Sequence, residues 1–481
     1  MNSKRTVFGI LIMFAVTGGR SQECYVGTTM EVALYLQNSC GVVFRENGVP
    51  KNPFQSIKDH GGNIIRLRLD LPPYSNSYIQ NEPPVDYRTP EKVKESMQAA
   101  QQVGLKTLLT FSYQSFALDG EQSLNSWVAP VAWQQVAGDV NKLADSVHDY
   151  TFNTLFNLVS SGLVPVIVSI GNETNWRILE PNLPEGELPD YDPQRTVTLL
   201  NAGTAAVKEV SNYFGVTIRT AVHIFGASNL QWWMDTHVPL GLDFEIMGLS
   251  HYHAWHSLGS FGTWADVVDW VQTHHQKDFM IMETAQLFSS GYSDNRVNVL
   301  GTENIPPGYP NPPSTLTQKE YLKDLTKEVL DAGGLGTIVW GGDWVGSDCY
   351  VFPDEYGPGS SWENKTFWDF DVNLHGGIDW MKESCPQNAV GEDQSEPDLL
   401  IFPVPAASAI LTIQSSNPPD GVELFSVQGQ LVSRLTVQDE GNGRVSLTIP
   451  DHLYKPGIIM VKVVFKNNIA RYRMIPVLPE K

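Results

Sequence analysis

Residues 164–176 read VPVIVSIGNETNW. The first half of this stretch is a continuous apolar run rich in β-branched side chains, which predicts a strand buried on both faces. The run ends in a polar cluster that contains Asn172 and Glu173. Because the functional residues of parallel barrels collect at the C-terminal ends of the strands, we expect Glu173 to project from a barrel rim with Asn172 beside it. The alternative interpretation is a strand-ending turn in which the two side chains cap the next helix.

A second stretch repeats this pattern. Residues 279–285 read FMIMETA, so another short apolar strand ends in a carboxylate, Glu283, 110 residues after Glu173. Hydrolysis of a glycosidic bond requires two carboxyl groups, one to donate a proton and one to attack or to steer water. The two strand-end glutamates therefore predict cleavage of a glycosidic bond.

Short apolar strands alternate with longer helical patterns along most of the chain, which is typical of an α/β protein with a parallel sheet. Eight strands and the connecting helices predict a (β/α)₈ TIM barrel over residues 22–385. The first predicted strand lies within residues 25–36, and the others span 63–70, 106–111, 164–170, 216–223, 246–250, 279–283 and 336–340. The predicted helices span 54–60, 90–103, 130–159, 193–213, 229–237, 261–274 and 317–332.

The pattern changes after the barrel. Residues 386–398 are polar and acidic and predict a linker. Residues 399–481 contain short alternating strands separated by turn residues, which predict a small all-β, immunoglobulin-like sandwich domain. The predicted strands of this module span 410–414, 422–427, 431–437, 444–449, 458–465 and 469–477.

The net charge of the chain limits the kinds of molecule that it is expected to bind. The 481 residues carry a formal net charge of −21. A chain this acidic does not attract polyanions, so nucleic acid is excluded as a partner. A neutral polysaccharide suits this balance, and we expect a monomer.

The N-terminus predicts export. Lys4 and Arg5 precede the uncharged run of residues 7–16, and small residues follow, so residues 1–21 are interpreted as a signal peptide. The protein is therefore expected to be secreted or to lie at the cell surface.

The four cysteines are even in number, and in an exported chain this predicts two disulfides. Proximity in sequence favours Cys24–Cys40 and Cys349–Cys385, and the other two connectivities stay open. No paired spacing typical of a zinc site is present.

Residues 60–371 resemble glycoside hydrolase family 53, the arabinogalactan endo-β-1,4-galactanases. The resemblance rests on Asn63–Arg68, Pro130–Trp133, Gly171–Glu173, Gly248–Ser250 with Trp255–His256, Glu283–Ala285 and Gly359–Asn364. It implies a retaining enzyme with Glu173 as general acid/base and Glu283 as nucleophile. The two carboxyl groups are then expected about 5–5.5 Å apart.

Six further side chains are predicted to bind substrate: Asn172, Arg66, Tyr252, Trp255, Trp340 and His223. Asn172 can hold the sugar 2-hydroxyl beside the acid. Arg66 is expected to fix Glu283 or another carboxylate by hydrogen bonds, because an arginine inside a barrel needs a carboxylate. Trp340 at the eighth strand end can stack on a pyranose, with a position in the barrel-mouth core as the alternative, and His223 lines the cleft or merely caps its strand.

Three strand ends depart from the family pattern, at Ser112, His251 and Gly341. These departures alter the cleft wall and spare both carboxylates. Two alternatives therefore stay open: a catalytically weakened glycan-binding barrel, and a barrel glycanase that acts on another β-glycan. No cofactor is expected; calcium, which some family members bind, is suggested here only by Asp294 and Asn298.

The C-terminal module resembles the sorting domains of type IX secretion. Phe402–Ala406, Val422–Leu431 with Gly429, Pro456–Gly457 and the basic-apolar ending carry this resemblance. It implies the type IX secretion machinery as a partner. A carbohydrate-binding module is the alternative, and Tyr454 and Tyr472 are its only Tyr or Trp residues.

Overall fold

Eight parallel strands form a closed barrel in the computed structural model, which describes residues 23–71, 87–113, 128–182, 190–349 and 358–385 together with strand segments between 399 and 477. Each strand pairs with its neighbours in the sequence, and β1 pairs with both β2 and β8 to close the ring. The strands are β1 (Tyr25–Thr29), β2 (Ile64–Leu69), β3 (Lys106–Phe111), β4 (Ile167–Ile170), β5 (Arg219–Phe225), β6 (Ile246–Ser250), β7 (Asp278–Glu283) and β8 (Gly336–Val339). The predicted (β/α)₈ fold is confirmed.

Helices connect the strands and cover the outside of the barrel. They are α1 (Ala33–Cys40), α2 (Pro53–Asp59), α3 (Pro90–Gln102), α4 (Val140–Ser160), α5 (Pro193–Phe214), α6 (Leu230–His237), α7 (Trp264–His275), α8 (Thr315–Asp331) and α9 (Trp380–Ser384). Local sequence fixes several of their starts. Thr89 caps α3 by accepting the Lys92 amide N–H, with Pro90 in the first helical position.

The barrel interior is a packed layer near the N-terminal ends of the strands. Every strand contributes at least one buried apolar side chain to it, from the set Tyr25, Ile64, Leu108, Ile167, Ala221, Ile246, Met280, Met282 and Ile338. Strand side chains alternate between faces, so the next inward-facing residue lies two positions further along. On β2, β3 and β5 that residue is Arg66, Thr110 and His223, and all three are buried. The barrel interior therefore changes from apolar to polar towards the C-terminal ends of the strands.

The structure refines two predicted elements. The first strand, expected within residues 25–36, ends at Thr29, and α1 follows it. The carboxylate of Asp343 accepts the amide N–H groups of Val32 and Ala33 at 2.9 and 2.8 Å, which stabilises the helix start from a residue far away in sequence. The helix predicted over 130–159 begins only at Val140, because Asp139 caps it there by accepting the Lys142 amide N–H.

The C-terminal segment forms two four-stranded antiparallel sheets, so the all-β prediction is confirmed. Its strands are β9 (Leu399–Phe402), β10 (Ile410–Ser415), β11 (Gly421–Phe425), β12 (Leu431–Leu435), β13 (Gln438–Asp439), β14 (Arg444–Thr448), β15 (Gly457–Val464) and β16 (Ala470–Val477). One sheet has the order β9-β10-β14-β13 and the other β12-β11-β15-β16. Sequence analysis missed β9 and β13. The predicted signal peptide and linker lie outside the described residues.

Among the described residues, no helix is long and apolar enough to cross a membrane.

The two disulfides join sequence-remote cysteines, so the favoured neighbour pairing was wrong. Cys24 bonds to Cys385 and Cys40 bonds to Cys349. Barrel closure is the physical reason: β1 lies beside β8, so segments that flank the start of the barrel lie next to segments that flank its end. Proximity along the chain is a poor guide to proximity in a closed barrel.

Replacing both Cys24 and Cys385 by Ser should lower the free energy of unfolding by about 2–5 kcal/mol, because this bond closes a very long loop in the unfolded chain. The turnover number should stay unchanged, since Cys24 precedes β1 and so lies at the barrel end opposite the C-terminal strand ends. Urea denaturation and peptide mapping of the unreduced protein measure both statements. A linked Cys24–Cys40 peptide from the wild type would contradict this connectivity.

Candidate active site

Glu173 and Glu283 meet at the C-terminal mouth of the barrel. Glu283 is the last residue of β7, and Glu173 follows β4 after a tight turn. In that turn Gly171 has a φ of +83° and Glu173 a φ of +53°, a conformation that costs energy for a residue with a side chain. A carboxylate oxygen of Glu173 and one of Glu283 lie within 4.8 Å of each other. This spacing fits the short separation of a retaining pair better than the about 6.5–9.5 Å between the carboxyl groups of an inverting pair.

The segment after Glu173 is fixed to the neighbouring strand and is not a helix cap. The Thr174 amide N–H donates to the His223 carbonyl at 2.8 Å. The Asn175 side chain accepts the Phe225 amide N–H and donates to the Phe225 carbonyl, both at 2.8 Å. Residues 174–182 contain no helix, and α5 starts only at Pro193, so the capping interpretation is wrong.

Arg66 connects four strand ends. Its guanidinium is fully buried and donates to Glu283 Oε1 at 2.5 Å, to Asn172 Oδ1 at 2.6 Å and to Thr110 Oγ1 at 3.0 Å. The expected pairing of Arg66 with Glu283 is thus present. Because Asn172 accepts from Arg66 through its oxygen, its amide NH₂ is the group that can contact a sugar.

The nucleophile candidate is held ionised. Burial opposes ionisation of Glu283, but the pKa of Glu283 is lowered to about 2, and the charge of the bonded Arg66 guanidinium is the largest of the effects that lower it. The Tyr252 hydroxyl also donates to Glu283 Oε2 at 3.1 Å. Tyr252 therefore contacts the carboxylate itself.

The acid candidate stays largely protonated in weakly acidic solution, up to nearly neutral pH. Burial of the carboxyl group, followed by the negative charge of Glu283, raises the pKa of Glu173 to about 7. Ser250, at the end of β6, forms a hydrogen bond with Glu173 that partly offsets these two effects. Two identical side chains thus carry pKa values pushed in opposite directions, the pattern that separates acid from nucleophile.

His223 positions these groups as a neutral ring. Burial, followed by the charge of Arg66, lowers the pKa of His223 to about 3. Nδ1 faces the Arg66 guanidinium at 3.5 Å, so it acts as acceptor and the proton lies on Nε2, which donates to Ser250 Oγ at 2.9 Å. His223 is neutral above about pH 3, and the two arginines supply the positive charge of the site.

Glu173, His223 and Glu283 also have donor atoms close enough together to ligate a metal ion. Both imidazole nitrogens of His223 already face Arg66 and Ser250, and Arg66 is bonded to Glu283. A divalent cation there would lie beside a guanidinium and would displace these bonds, so the residues do not fit a metal.

The residues that suggested calcium are hydrogen-bonded to their own loop and to the segment that follows β8. Asp294 accepts the Ser360 and Arg296 amide N–H groups at 2.6 and 2.8 Å, and Asn298 donates to the Gly291 carbonyl at 3.1 Å. The expectation that the protein uses no cofactor stays a prediction.

The two predicted tryptophans lie in different environments. Trp255 is 51% exposed and packs against Tyr252, with ring centroids 5.2 Å apart. Trp340 is only 6% exposed, and the Arg68 guanidinium lies 4.3 Å from its ring centroid. Little of the Trp340 ring is accessible for stacking on a sugar. Ser250 and Trp362, the latter 6.4 Å from Trp255, belong to this mouth and were not singled out as site residues, although both lie in motifs noted in the sequence.

A closed (β/α)₈ barrel with a close pair of carboxylates at its C-terminal mouth defines a class, the barrel glycoside hydrolases. Residues 25–381 match the profile described as Glycosyl hydrolase family 53. The chain belongs to this family.

Known proteins agree with this assignment. The chain is 34% identical over 348 residues to arabinogalactan endo-beta-1,4-galactanase of Cellvibrio japonicus, covering 72% of this chain and 86% of that protein. It is 24% identical over 335 residues to endo-beta-1,4-galactanase of Bacillus subtilis, covering 68% of this chain and 72% of that protein. The solved Ignisphaera aggregans GH53 catalytic domain superimposes with a TM-score of 0.62 at 23% identity, covering 78% of this chain and all of that one, which supports the fold.

Replacing Tyr252 by Phe should lower the turnover number about 10- to 100-fold, because a hydrogen bond to a charged group is worth about 1.5–3 kcal/mol. The lost donor also disfavours the ionised form of Glu283, so the acid limb of the pH–rate profile should move to higher pH. Replacing Tyr113 by Phe is the matched control. The Tyr113 hydroxyl forms a hydrogen bond of 2.6 Å with Thr151 and not with Glu283. Equal effects of the two changes would contradict the role of Tyr252.

Proposed function

We propose that this protein is a secreted, retaining endo-β-1,4-galactanase that cleaves the galactan chains of arabinogalactan and pectin by double displacement. The observation that supports this most directly is the carboxylate pair, with oxygens within 4.8 Å and pKa values of about 7 for Glu173 and about 2 for Glu283. The similarity to the galactanase of Cellvibrio japonicus supports the choice of substrate. The acidic chain is compatible with a neutral glycan.

In the first step Glu283 attacks the anomeric carbon of the galactosyl residue, while Glu173 donates its proton to the departing glycosidic oxygen. The C–O bond to the leaving chain breaks as the bond to the Glu283 carboxylate forms. Arg66 and Tyr252 orient that carboxylate and keep it ionised until it attacks.

In the second step water hydrolyses the glycosyl-enzyme. Glu173, now ionised, accepts the proton of the attacking water and returns to its starting state. Loss of the negative charge on Glu283 in the intermediate removes one of the causes that raise the pKa of Glu173, which favours this change of role. Two inversions give a product of retained configuration.

Asn172 and His223 orient other groups and do not take part in bond making or bond breaking. The Asn172 amide NH₂ donates to the 2-hydroxyl of the attacked sugar, and Arg66 fixes its orientation. His223 holds the Ser250 hydroxyl towards Glu173. Trp255 offers an exposed aromatic face to the glycan.

Replacing Glu173 by Ala should lower the rate on galactan by about 10²–10⁴-fold, since general acid catalysis is lost. A 2,4-dinitrophenyl galactobioside needs little protonation, so its first step should survive. Added azide should then attack the glycosyl-enzyme from the vacated space and give a β-azide of retained configuration. Proton NMR of the anomeric centre measures this outcome.

The matched variant is Glu283→Ala. It lacks the nucleophile, so azide there can give only the inverted α-azide. If azide gives the inverted product with Glu173→Ala and the retained one with Glu283→Ala, the two roles are exchanged. A wild type that binds galactan but releases no reducing ends would support the alternative of a glycan-binding barrel without turnover.

We also propose that the C-terminal module directs export by type IX secretion. The change from an α/β pattern to two antiparallel sheets after residue 398 supports a separate module. The resemblance of residues 402–406 and 456–457 to sorting domains supports the route. The mature enzyme then acts outside the cell or at its surface as a monomer.

Deleting residues 399–481 should leave the barrel active and stop its passage across the outer membrane, because the module supplies no residue to the active site described above. Galactanase activity in the medium and in the periplasm of a host with this secretion system measures the effect. Normal export of the shortened protein, or an inactive purified barrel, would contradict the assignment.

A further inference from the structure

Two tryptophans form an exposed pair at the barrel mouth beside the acid candidate. Trp176 is 41% exposed and Trp232 is 38% exposed, and their ring centroids lie 4.8 Å apart at an interplanar angle of 35°. Exposed indole rings are costly to leave in water, so a pair of them at the rim of a site points to a ligand with apolar faces. We refer to Trp176 and Trp232 as the rim pair.

The rim pair lies at the same end of the barrel as the carboxylates. Trp176 follows Glu173 by three residues, so their Cα atoms are at most about 11 Å apart. Trp232 is the third residue of α6, which starts five residues after the end of β5 and therefore at the C-terminal face of the barrel. Both rings belong to the β4–β5 sector of the rim.

The rim pair is held rigidly from behind. The adjacent Trp233 is fully buried and its indole N–H donates to the Thr174 carbonyl at 2.9 Å, which ties α6 to the segment that carries Trp176. Tyr191 packs on Trp232 at 5.9 Å and bonds to His237 at 2.5 Å. Rings fixed in this way lose little conformational entropy on binding, which favours stacking on a rigid partner.

The position of the rim pair relative to the two carboxylates indicates which part of the substrate it meets. The attacked sugar lies over Glu283, and the glycosidic oxygen lies at Glu173. Trp176 lies on the same segment as the acid Glu173, three residues further along, whereas the nucleophile lies on β7, so the rim pair is on the acid side of the cleaved bond. The sugar beyond the cleaved bond therefore extends towards the rim pair.

We propose that the rim pair is a stacking platform for a neutral galactosyl residue of the leaving chain, on the reducing-end side of the cleaved bond. The proposal rests on the proposed function and adds a binding site to it. An aromatic ring suits the C–H face of a pyranose, and a neutral sugar suits an acidic protein. Binding on this side places the leaving oxygen against the Glu173 carboxyl group, so it contributes to the first step.

The platform also receives sugars in the second step. A galactosyl acceptor bound there presents a hydroxyl to the glycosyl-enzyme in place of water. Glu173 accepts the proton of that hydroxyl, the new C–O bond forms, and the bond to Glu283 breaks. Transfer to added galactobiose therefore reports on the platform separately from hydrolysis.

The test compares two substrates that share the attacked sugar. In galactan the leaving group is a sugar chain. In β-galactobiosyl fluoride the leaving group is fluoride ion, so there is no sugar beyond the cleaved bond. Replacing Trp176 and Trp232 by Ala should lower kcat/KM on galactan about tenfold or more, with little change on the fluoride. Transfer of galactosyl units to galactobiose, relative to hydrolysis, should fall in the same variant, and Trp176→Phe should restore part of both losses.

Tyr213→Ala is the matched control. Tyr213 is also 41% exposed, but it lies near the C-terminal end of α5, at the opposite face of the barrel. Replacing Tyr213 by Ala should leave kcat/KM unchanged on both substrates. Thermal melting confirms that each variant is folded, and both rim positions are exposed enough to tolerate replacement.

Each other outcome overturns the platform. An equal loss on galactan and on the fluoride would place the rim pair on the non-reducing side or in the fold. No loss on galactan, with an active wild type, would remove the platform and leave the proposed function intact. A wild type inactive on both substrates would overturn the proposed function, and the platform with it.

Discussion

The buried guanidinium of Arg66 is the constraint on which the site depends. A buried charge without a partner is strongly unfavourable, and breaking a buried pair costs about 3–5 kcal/mol. Arg66 on β2 donates hydrogen bonds to oxygen atoms of three side chains: Thr110 within β3, Asn172 after β4 and Glu283 at the end of β7. One side chain thus sets the relative positions of several strand ends and fixes where the carboxylates lie.

The same guanidinium separates the chemistry of two identical residues. Glu283 is bonded to it and has a lowered pKa, whereas Glu173 lacks that bond and has a raised pKa from burial and from the charge of Glu283. The neutral His223 completes the arrangement, because a further positive charge beside the two arginines would lower the pKa of Glu173 as well. The acid and the nucleophile are therefore defined by their surroundings, and the surroundings begin with one arginine.

Sequence reasoning succeeded where the signal is local. The runs that form β3 and β6 were predicted with their observed bounds, and the strand ends led directly to Glu173 and Glu283. It failed where a remote residue decides the outcome. Helix α1 starts against Asp343, more than 300 residues away, and both disulfides join segments that only barrel closure brings together. The burial of Trp340 under Arg68 likewise depends on two strands, β2 and β8, that meet through β1.

The segment from Gly171 to Trp176 shows why a strained turn is retained at this point of the fold. The positive φ of Glu173 is unfavourable by itself, and the bonds of Thr174 and Asn175 to β5 offset it. Those bonds leave the segment few alternative conformations, so the Glu173 carboxyl group and the Trp176 ring hold one fixed relation. A small shift of a catalytic group can cost a large factor in rate. The rigid segment after β4 therefore holds the Glu173 carboxyl group in place for proton transfer. The same bonds fix the position of the exposed Trp176 ring.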